Sequence, residues 1–440
     1  MSATTLSSWG QYPAFPQAAR PCFWRSELST NLKQLINQFG NTLAYGNGRS
    51  YGDSCLASSD HVLATRGLNR FIAADWQNGI IRAEAGVSLA ELLQLSIPQG
   101  WFLPVTPGTQ YVTLGGAVAN DVHGKNHHVR GTFGCHVRCF ELLRSDASAQ
   151  ICSPQDHSDL FNATIGGLGL TGIISWIELQ LLPIQSSLIQ SYSTRFNNLA
   201  EFFQLAAEHD SQHEYTVAWI DCLAQGKHLG RGIFIYGDHA ESGELAVHHK
   251  AKLTVPLTPP ISLINSMSLR AFNTVYFHKH PPSLQHALVS YEPFFYPLDA
   301  ISHWNRIYGK PGFQQYQCVI PSASAEAAVH ALLQEIAAVG SGSFLAVLKR
   351  CGDVPSPGLL SFPLPGVSLA LDFPQLEPLN TTLFSRMDSI VRAAGGRLYP
   401  AKDAHMSAND FRHFYPKWSS LESLRDPGLC SRFWQRVTLA

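Results

Sequence analysis

The chain has 440 residues, is 45% apolar and 14% charged, and carries a formal net charge of −1. That length favours two or three domains over one. The near-zero charge gives no support for a nucleic-acid-binding surface or a polybasic membrane anchor.

The opening stretch MSATTLSSWGQYPAF has no basic segment followed by an apolar core, so no secretory leader is expected. No run approaches the roughly 18 uninterrupted apolar residues of a spanning helix. Residues 60–66 and 79–85 read as short strands separated by turn residues. A helix is expected within 85–100. Ser88 is a good N-cap, Glu91 completes a capping box, and Leu89, Leu92, Leu93 and Leu95 supply an apolar face before Gly100 ends it. Residues 103–123 are Gly- and Thr-rich and receive no assigned element. Residues 137–144 and 172–183 read as strands, and 156–172 as a short helix entering a Gly-rich turn.

The character changes near Pro183. Residues 198–209 suggest a helix and 214–236 alternate like sheet strands. Residues 253–278 are mostly apolar, with Arg270 the only formal charge, and Pro256, Pro259 and Pro260 make the stretch read as loop-rich. Strands are expected at 314–321, 344–352 and 367–374, with a helix over 323–339. Gln315 and Gln317 then share one strand face. Nine scattered cysteines, an odd number, read as reduced cytoplasmic thiols rather than a disulfide framework. Cys135 and Cys139 lack the second pair that a structural zinc site needs.

Four Gly-rich segments fall in the first 175 residues: 46–52, 107–116, 124–134 and 166–172. None ends in the Gly-Lys-Ser/Thr of a Walker loop, and none is a G-x-G-x-x-G between a strand and a long helix. Together they suggest a long phosphate-bearing ligand threaded along backbone, because Gly permits close approach and runs of N–H groups hold anions. A flavin dinucleotide fits: two phosphates need donors and a ring needs a flat slot.

GNGRSYGD (46–53), AGVSLAELL (85–93), PGTQYVTLGGAVANDVHGKNHH (107–128) and GGLGLTGII (166–174) resemble the PCMH-type FAD-binding domain of the vanillyl-alcohol oxidase superfamily. HGKNHH (123–128), WNRIYGKPGFQQYQ (304–317), LSFPLPG (360–366) and GGRLYPAKD (395–403) resemble, more narrowly, the decaprenylphosphoryl-β-D-ribose 2′-oxidase family, in order and in spacing. The resemblance implies an α+β fold with a two-part FAD-binding domain over 1–184. A substrate domain with an antiparallel sheet flanked by helices would follow over 185–394, and a C-terminal segment, 395–440, would return to the FAD domain.

It further implies that the loop from Ala44 to Ser54, with Gly46, Asn47, Gly48, Arg49, Ser50, Tyr51 and Gly52, wraps the FAD pyrophosphate. Gly108, Thr113, Leu114, Gly115, Gly116, Asn120 and His123 would line the cofactor further along, with Ile174 and Tyr399 completing the slot. Lys125, Gln315, Gln317, Lys349, Ser368, Tyr399 and Lys402 would face substrate. Lys402, His123, Gln317 and Lys349 are the implied catalytic set: Lys402 to steady negative charge on the reduced ring, His123 as candidate base.

The activity implied is oxidation of the 2′-hydroxyl of a polyprenyl-phosphoryl-β-D-ribose to the 2′-keto sugar. That is the first half of a ribose-to-arabinose epimerisation serving a cell-wall glycoconjugate. It would need a quinone-type electron acceptor, a separate short-chain reductase for the second half, and a place in the cytoplasm, peripheral to the inner face of the membrane. The alternative is an FAD-dependent oxidase of a soluble sugar, alditol or aldonolactone. A flavoprotein that binds without turnover is a third reading, opposed by the intact Lys125, Lys349 and Lys402.

Two departures stand out. Gly48-Arg49-Ser50 occupies the place where many superfamily members carry a flavin-linking His, so dissociable FAD is expected. Ala370 and Ser368 stand where the resembled oxidase has Cys and Asn, which removes the target of a thiol-directed inhibitor. His123 and His127 are four apart, as metal ligands on a helix would be, but Gly124 and Asn126 oppose that helix, and no metal is expected.

Overall fold

In the computed structural model, which describes residues 5–247 and 253–438, the apolar runs assemble into two large antiparallel sheets and a smaller mixed one. Residues 1–4, part of the stretch read for a leader, and 248–252, inside the expected substrate domain, lie outside the described residues. The mixed sheet orders Thr5–Leu6, Gln17–Pro21, His61–Ala64 and Ala44–Tyr45. Helix Leu28–Phe39 covers it, burying Leu28, Leu32 and Leu35 against Leu63 and Leu68. Those three fall at the spacing of one helix face.

The five-stranded sheet orders Phe71–Asp75, Ile80–Glu84, Ile173–Gln180, Val137–Leu143 and Gln150–Cys152, all antiparallel. Helix Leu89–Ser96 starts at the expected capping box: Ser88 Oγ accepts from the Glu91 N–H, and the Glu91 carboxylate accepts from the Ser88 N–H at 2.8 Å. Its leucines bury against Ile81, Phe140 and Ile177. Gly100 takes φ 80, the left-handed conformation that stops the chain from continuing as helix. Within 103–123 there is a short helix, Leu114–Ala119, capped by Thr113 Oγ1 on the Gly116 N–H at 3.1 Å. Two glycines in its first turn conceal it, because glycine disfavours helix.

The eight-stranded sheet is antiparallel throughout. It orders Gln285–Ser290, Leu188–Phe196, Gly232–His239, Tyr215–Ile220, Ala346–Cys351, Gly366–Pro374, Phe313–Pro321 and Arg397–Leu398. Helices Leu199–His209, Ala325–Val339 and Leu379–Ala393 pack their apolar residues into its core.

The stretch 253–278 is not loop-rich throughout, as its composition suggested. Leu253–Thr254 is a short strand parallel to Ile301–Ser302, and Ser266–Lys279 is a helix capped by Asn265. The prolines confine irregular backbone to the part before Asn265, which leaves the rest free to coil. Leu257, Ile261 and Met267 remain more than two-thirds exposed, at 78%, 70% and 79%.

The C-terminal stretch touches both ends of the molecule. Leu398 pairs with Cys318 in the large sheet, whereas Arg432 and Arg436 on the last helix grip Asp60 and Asp53. The architecture is α+β, and no helix among the described residues is long and apolar enough to cross a membrane.

Candidate active site

A cavity of about 360 Å³ opens where the loop after Ala44–Tyr45, the helix Leu114–Ala119 and the strands of the eight-stranded sheet converge. The 46–51 loop forms one wall, and its main-chain N–H groups at Asn47, Gly48, Arg49 and Ser50 donate to no group of the described protein. Gly48 has φ 58, and a Cβ there would meet the Tyr45 hydroxyl at 1.8 Å. Only glycine fits that turn. Arg49 stacks on Trp9 at 3.9 Å rather than pairing tightly with a carboxylate; burial lowers its proton affinity and Asp299 opposes that effect. Its buried Nε has no hydrogen-bond acceptor.

The next wall follows from Thr113, Gly115, Gly116 and Asn120, with Gly108 at the rim and Ile174 from the five-stranded sheet. A Cβ on Gly46 would strike Thr113 Oγ1 at 2.5 Å, so the two walls touch at the back of the slot.

The large sheet supplies the third wall. His123 is buried; its Nε2 shares a 3.1 Å hydrogen bond with the Gln317 side-chain amide, and its Nδ1 has no partner. Burial, then the nearby Lys349, holds the imidazole well below its usual value, so the ring is neutral. Phe362 and Tyr399 flank it at 5.3 and 5.4 Å, and the Tyr399 hydroxyl donates to the Asn120 carbonyl at 2.8 Å. Gln315, on the same strand face as Gln317, donates to Asp372 at 2.7 Å. Asp372 also lines the cavity, and burial lifts its carboxyl to about 7.

Among the described residues three lysines line this cavity, Lys125, Lys349 and Lys402, and none of them has a described carboxylate within ion-pair distance. Lys349 donates to the Gly124 carbonyl at 2.6 Å, and the Lys402 ammonium sits 3.7 Å over the Tyr51 ring. Burial depresses Lys125 and Lys349 to about 8 and Lys402 to about 7, with Asp372 partly opposing the last. A protein does not ordinarily bury cations without counter-charge, because desolvation then has no return. Lysines placed this way can receive an anion.

Nineteen of the sequence-predicted residues line the cavity; Gly52, Leu114 and Ser368 do not. Gly52 packs against the Asp403 carbonyl, leaving no room for a Cβ. Leu114 turns into the core. Ser368 is buried behind Gln317, whose amide lies 3.4 Å from its Oγ. Sequence reasoning missed Trp9, Trp304 and Asp299 on the cavity wall, and read Asp372 as a strand-end hydrogen-bonding group. Among the described residues no cluster of His, Cys, Asp or Glu could hold a metal.

Comparison with known proteins bears on what the cavity holds. Residues 32–153 match the FAD binding domain family model. Decaprenylphosphoryl-beta-D-ribose oxidase of Mycolicibacterium smegmatis is 34% identical over 88% of this chain and 86% of its own. The chain belongs to the decaprenylphosphoryl-β-D-ribose oxidase family. An uncharacterised protein of Streptomyces coelicolor is 32% identical over 77% of this chain and 95% of its own. Delta(24)-sterol reductase of Rattus norvegicus is 30% identical over only 26% of this chain and 22% of its own. The protein is therefore an FAD-dependent oxidoreductase. Its residues suit that cofactor: four N–H groups in a glycine turn, unpartnered among the described residues, match a pyrophosphate, and lysines outside ion-pair distance of a described carboxylate match a ring that gains negative charge.

Proposed function

We propose that this protein oxidises the 2′-hydroxyl of a polyprenyl-phosphoryl-β-D-ribose to the 2′-keto sugar, with FAD bound non-covalently. The observation that carries the reading is the set of three lysines without carboxylate partners around one cavity. A phosphate-bearing sugar and a flavin together supply the anions this set lacks.

FAD, when bound, supplies the hydride acceptor. The N–H groups of Asn47 to Ser50 hold the pyrophosphate, with the Arg49 side chain held against Trp9 beside it. Gly46, Tyr51, Gly108, Thr113, Gly115, Gly116, Asn120, Ile174 and Tyr399 shape the slot. Lys402, over Tyr51, would stabilise negative charge on a ring bound beside it. Lys125 and Lys349 meet the phosphate, and Gln315 and Gln317 orient the sugar. His123 is neutral, and because the Gln317 amide N–H donates to its Nε2 the ring proton sits on Nδ1; the ring accepts the carbinol proton at Nε2 when substrate displaces the Gln317 bond. Leu114, Gly52 and Ser368 act by packing behind these groups.

In this reading 1–184 form the two-part FAD-binding domain, 185–394 the substrate domain, and 395–440 return to the first. The apolar strip at 253–275 meets the prenyl chain or the inner face of the cytoplasmic membrane. The reading calls for a quinone-type electron acceptor and for a separate short-chain reductase to complete the epimerisation.

The test mixes FAD-loaded protein with polyprenyl-phosphoribose and a quinone dye. Bleaching of the flavin and reduction of the dye are expected. No bleaching refutes the reading, and equal turnover of phosphoribose without lipid replaces it with a soluble-sugar oxidase.

A further inference from the structure

The last helix, Arg432–Thr438, reaches back 383 residues along the chain to the end of the glycine loop, and it also grips Asp403, the residue after Lys402. Arg436 forks onto Asp53, with Nε and Nη2 at 2.9 and 2.8 Å from its two oxygens. The same Nη2 lies 2.9 Å from Asp403, and Nη1 donates to the Met406 carbonyl at 2.5 Å. Asp53 and Asp403 are both only 3% exposed. Asp403 also faces His405, 3.2 Å away, whose other nitrogen meets Asp388. Among the described residues outside the two segments, Arg436 is thus the one bonded to both the 50–53 loop and the 401–406 turn.

Those two segments carry the pair that matters. Tyr51 donates its N–H to the Ala401 carbonyl at 3.0 Å, and Lys402 sits over its ring. Gly52 lies against the Asp403 carbonyl so closely that a Cβ would come within 1.8 Å. A shift of either segment therefore moves Lys402 relative to Tyr51. Two buried carboxylates, Asp53 and Asp403, converge there and would repel without the guanidinium between them.

We propose that Arg436 is a positioning residue for Lys402: it staples the glycine loop to the turn that carries the lysine, and it neutralises the two carboxylates beside it. This rests on the role given to Lys402 above. Arginine suits the task because its planar fork bonds two carboxylates and a carbonyl at once, which a lysine ammonium cannot do with the same geometry.

The groups around Lys402 are Tyr51 beneath it, Asp372 and His123 across the cavity, and Asp403 next to it in the chain. Burial is what lowers Lys402, and removing Arg436 loosens the turn that buries it, so water reaches the ammonium and Lys402 should hold its proton to higher pH. The experiment compares Arg436→Met, Arg436→Lys, Lys402→Met and the double variant Arg436→Met/Lys402→Met in the full chain. Flavin absorbance reports FAD retention. Reductive ¹³C-methylation of the lysines, followed by NMR titration, reports the Lys402 midpoint without turnover.

Arg436→Met is expected to keep FAD, to lose about 10- to 100-fold in kcat with KM within about threefold, and to raise the Lys402 midpoint by about one pH unit. Added to Lys402→Met it should cost less than about threefold more, as for two residues acting through one group. Should Arg436→Met fail to fold, Arg436→Lys carries the same test, with a smaller loss in the same direction. Losses that multiply in the double variant, or an Arg436→Lys enzyme with unchanged kcat and an unmoved midpoint, overturn the proposal alone. Ordinary turnover by Lys402→Met removes the reading beneath it as well.

Discussion

Replacing Lys402 with Met keeps most of the side-chain volume and deletes only the cation, so it isolates the charge beside Tyr51. The ammonium is depressed from 10.5 to about 7 by burial, with Asp372 opposing. At about 1.4 kcal/mol per pH unit that gap is of order 5 kcal/mol of unmet demand for an anion. Charge developing next to the lysine can recover part of that amount during the reaction. Preorganised donors of this kind are typically worth about 3–4 kcal/mol, or 100- to 1,000-fold in kcat. The two routes overlap, so Lys402→Met should reduce flavin roughly 100- to 1,000-fold more slowly at saturating substrate. Stopped-flow bleaching of the flavin absorbance measures it, with unchanged flavin content as the control. A rate within about threefold of the parent would show that the cation does not act in the transition state.

Acid or heat should release intact FAD, because Arg49 cannot form a histidyl–flavin bond; flavin that stays with the denatured polypeptide would implicate His123 instead. Stability of the FAD-free protein should rise with pH from about 7 towards 10.5, because Lys402 folded binds its proton more weakly than Lys402 unfolded, so the unfolded chain takes up the extra proton in that window. Thermal melts across it check this, and Lys402→Met should flatten the rise. Shortening the prenyl chain should raise KM steeply with a smaller effect on kcat, and Leu257→Ser with Ile261→Ser should weaken that dependence; steady-state kinetics on a chain-length series decide it.

The parts of the fold governed by local rules were legible. Ser88 and Glu91 cap a helix wherever that spacing precedes an apolar face, and Gln315 and Gln317 share a face on any strand. Yet the two glutamines do different things: one meets Asp372 and the other His123, a distinction made by strands far apart in sequence. Lys349 looks like any surface lysine until the strand Ala346–Cys351 is seen inside the sheet. The helix Ser266–Lys279 had a readable start, Asn265 with Ser268 in a capping box, but the prolines before it dominated the composition. The four segments that resemble an FAD-binding domain were legible because glycine positions encode backbone conformation directly. Arg436 was not, since nothing local distinguishes it from a solvated arginine on a short helix.

The exposed apolar strip and the cavity are linked by main chain rather than by chance proximity. Val255 donates to the Ser302 carbonyl, Leu263 to Ile307 and Lys310 to Pro259, so the segment 253–264 is laced to 301–310. Trp304 lies within that second segment and lines the cavity, as do Pro297 and Leu298 just before it. The lacing fixes the backbone but leaves Leu257, Ile261 and Leu263 more than half exposed. Large apolar side chains gathered on one surface are a mark of contact with another apolar body. Each buried methylene of such a body contributes about 0.8 kcal/mol. A few isoprene units can therefore outweigh the ordering of several side chains, at up to about 2 kcal/mol each. Because the backbone is already held, little of that gain is spent on folding the segment. Under the proposed function, the strip would give a long hydrocarbon a place beside a lysine-lined cavity, the two-part chemistry of a lipid-linked phosphosugar.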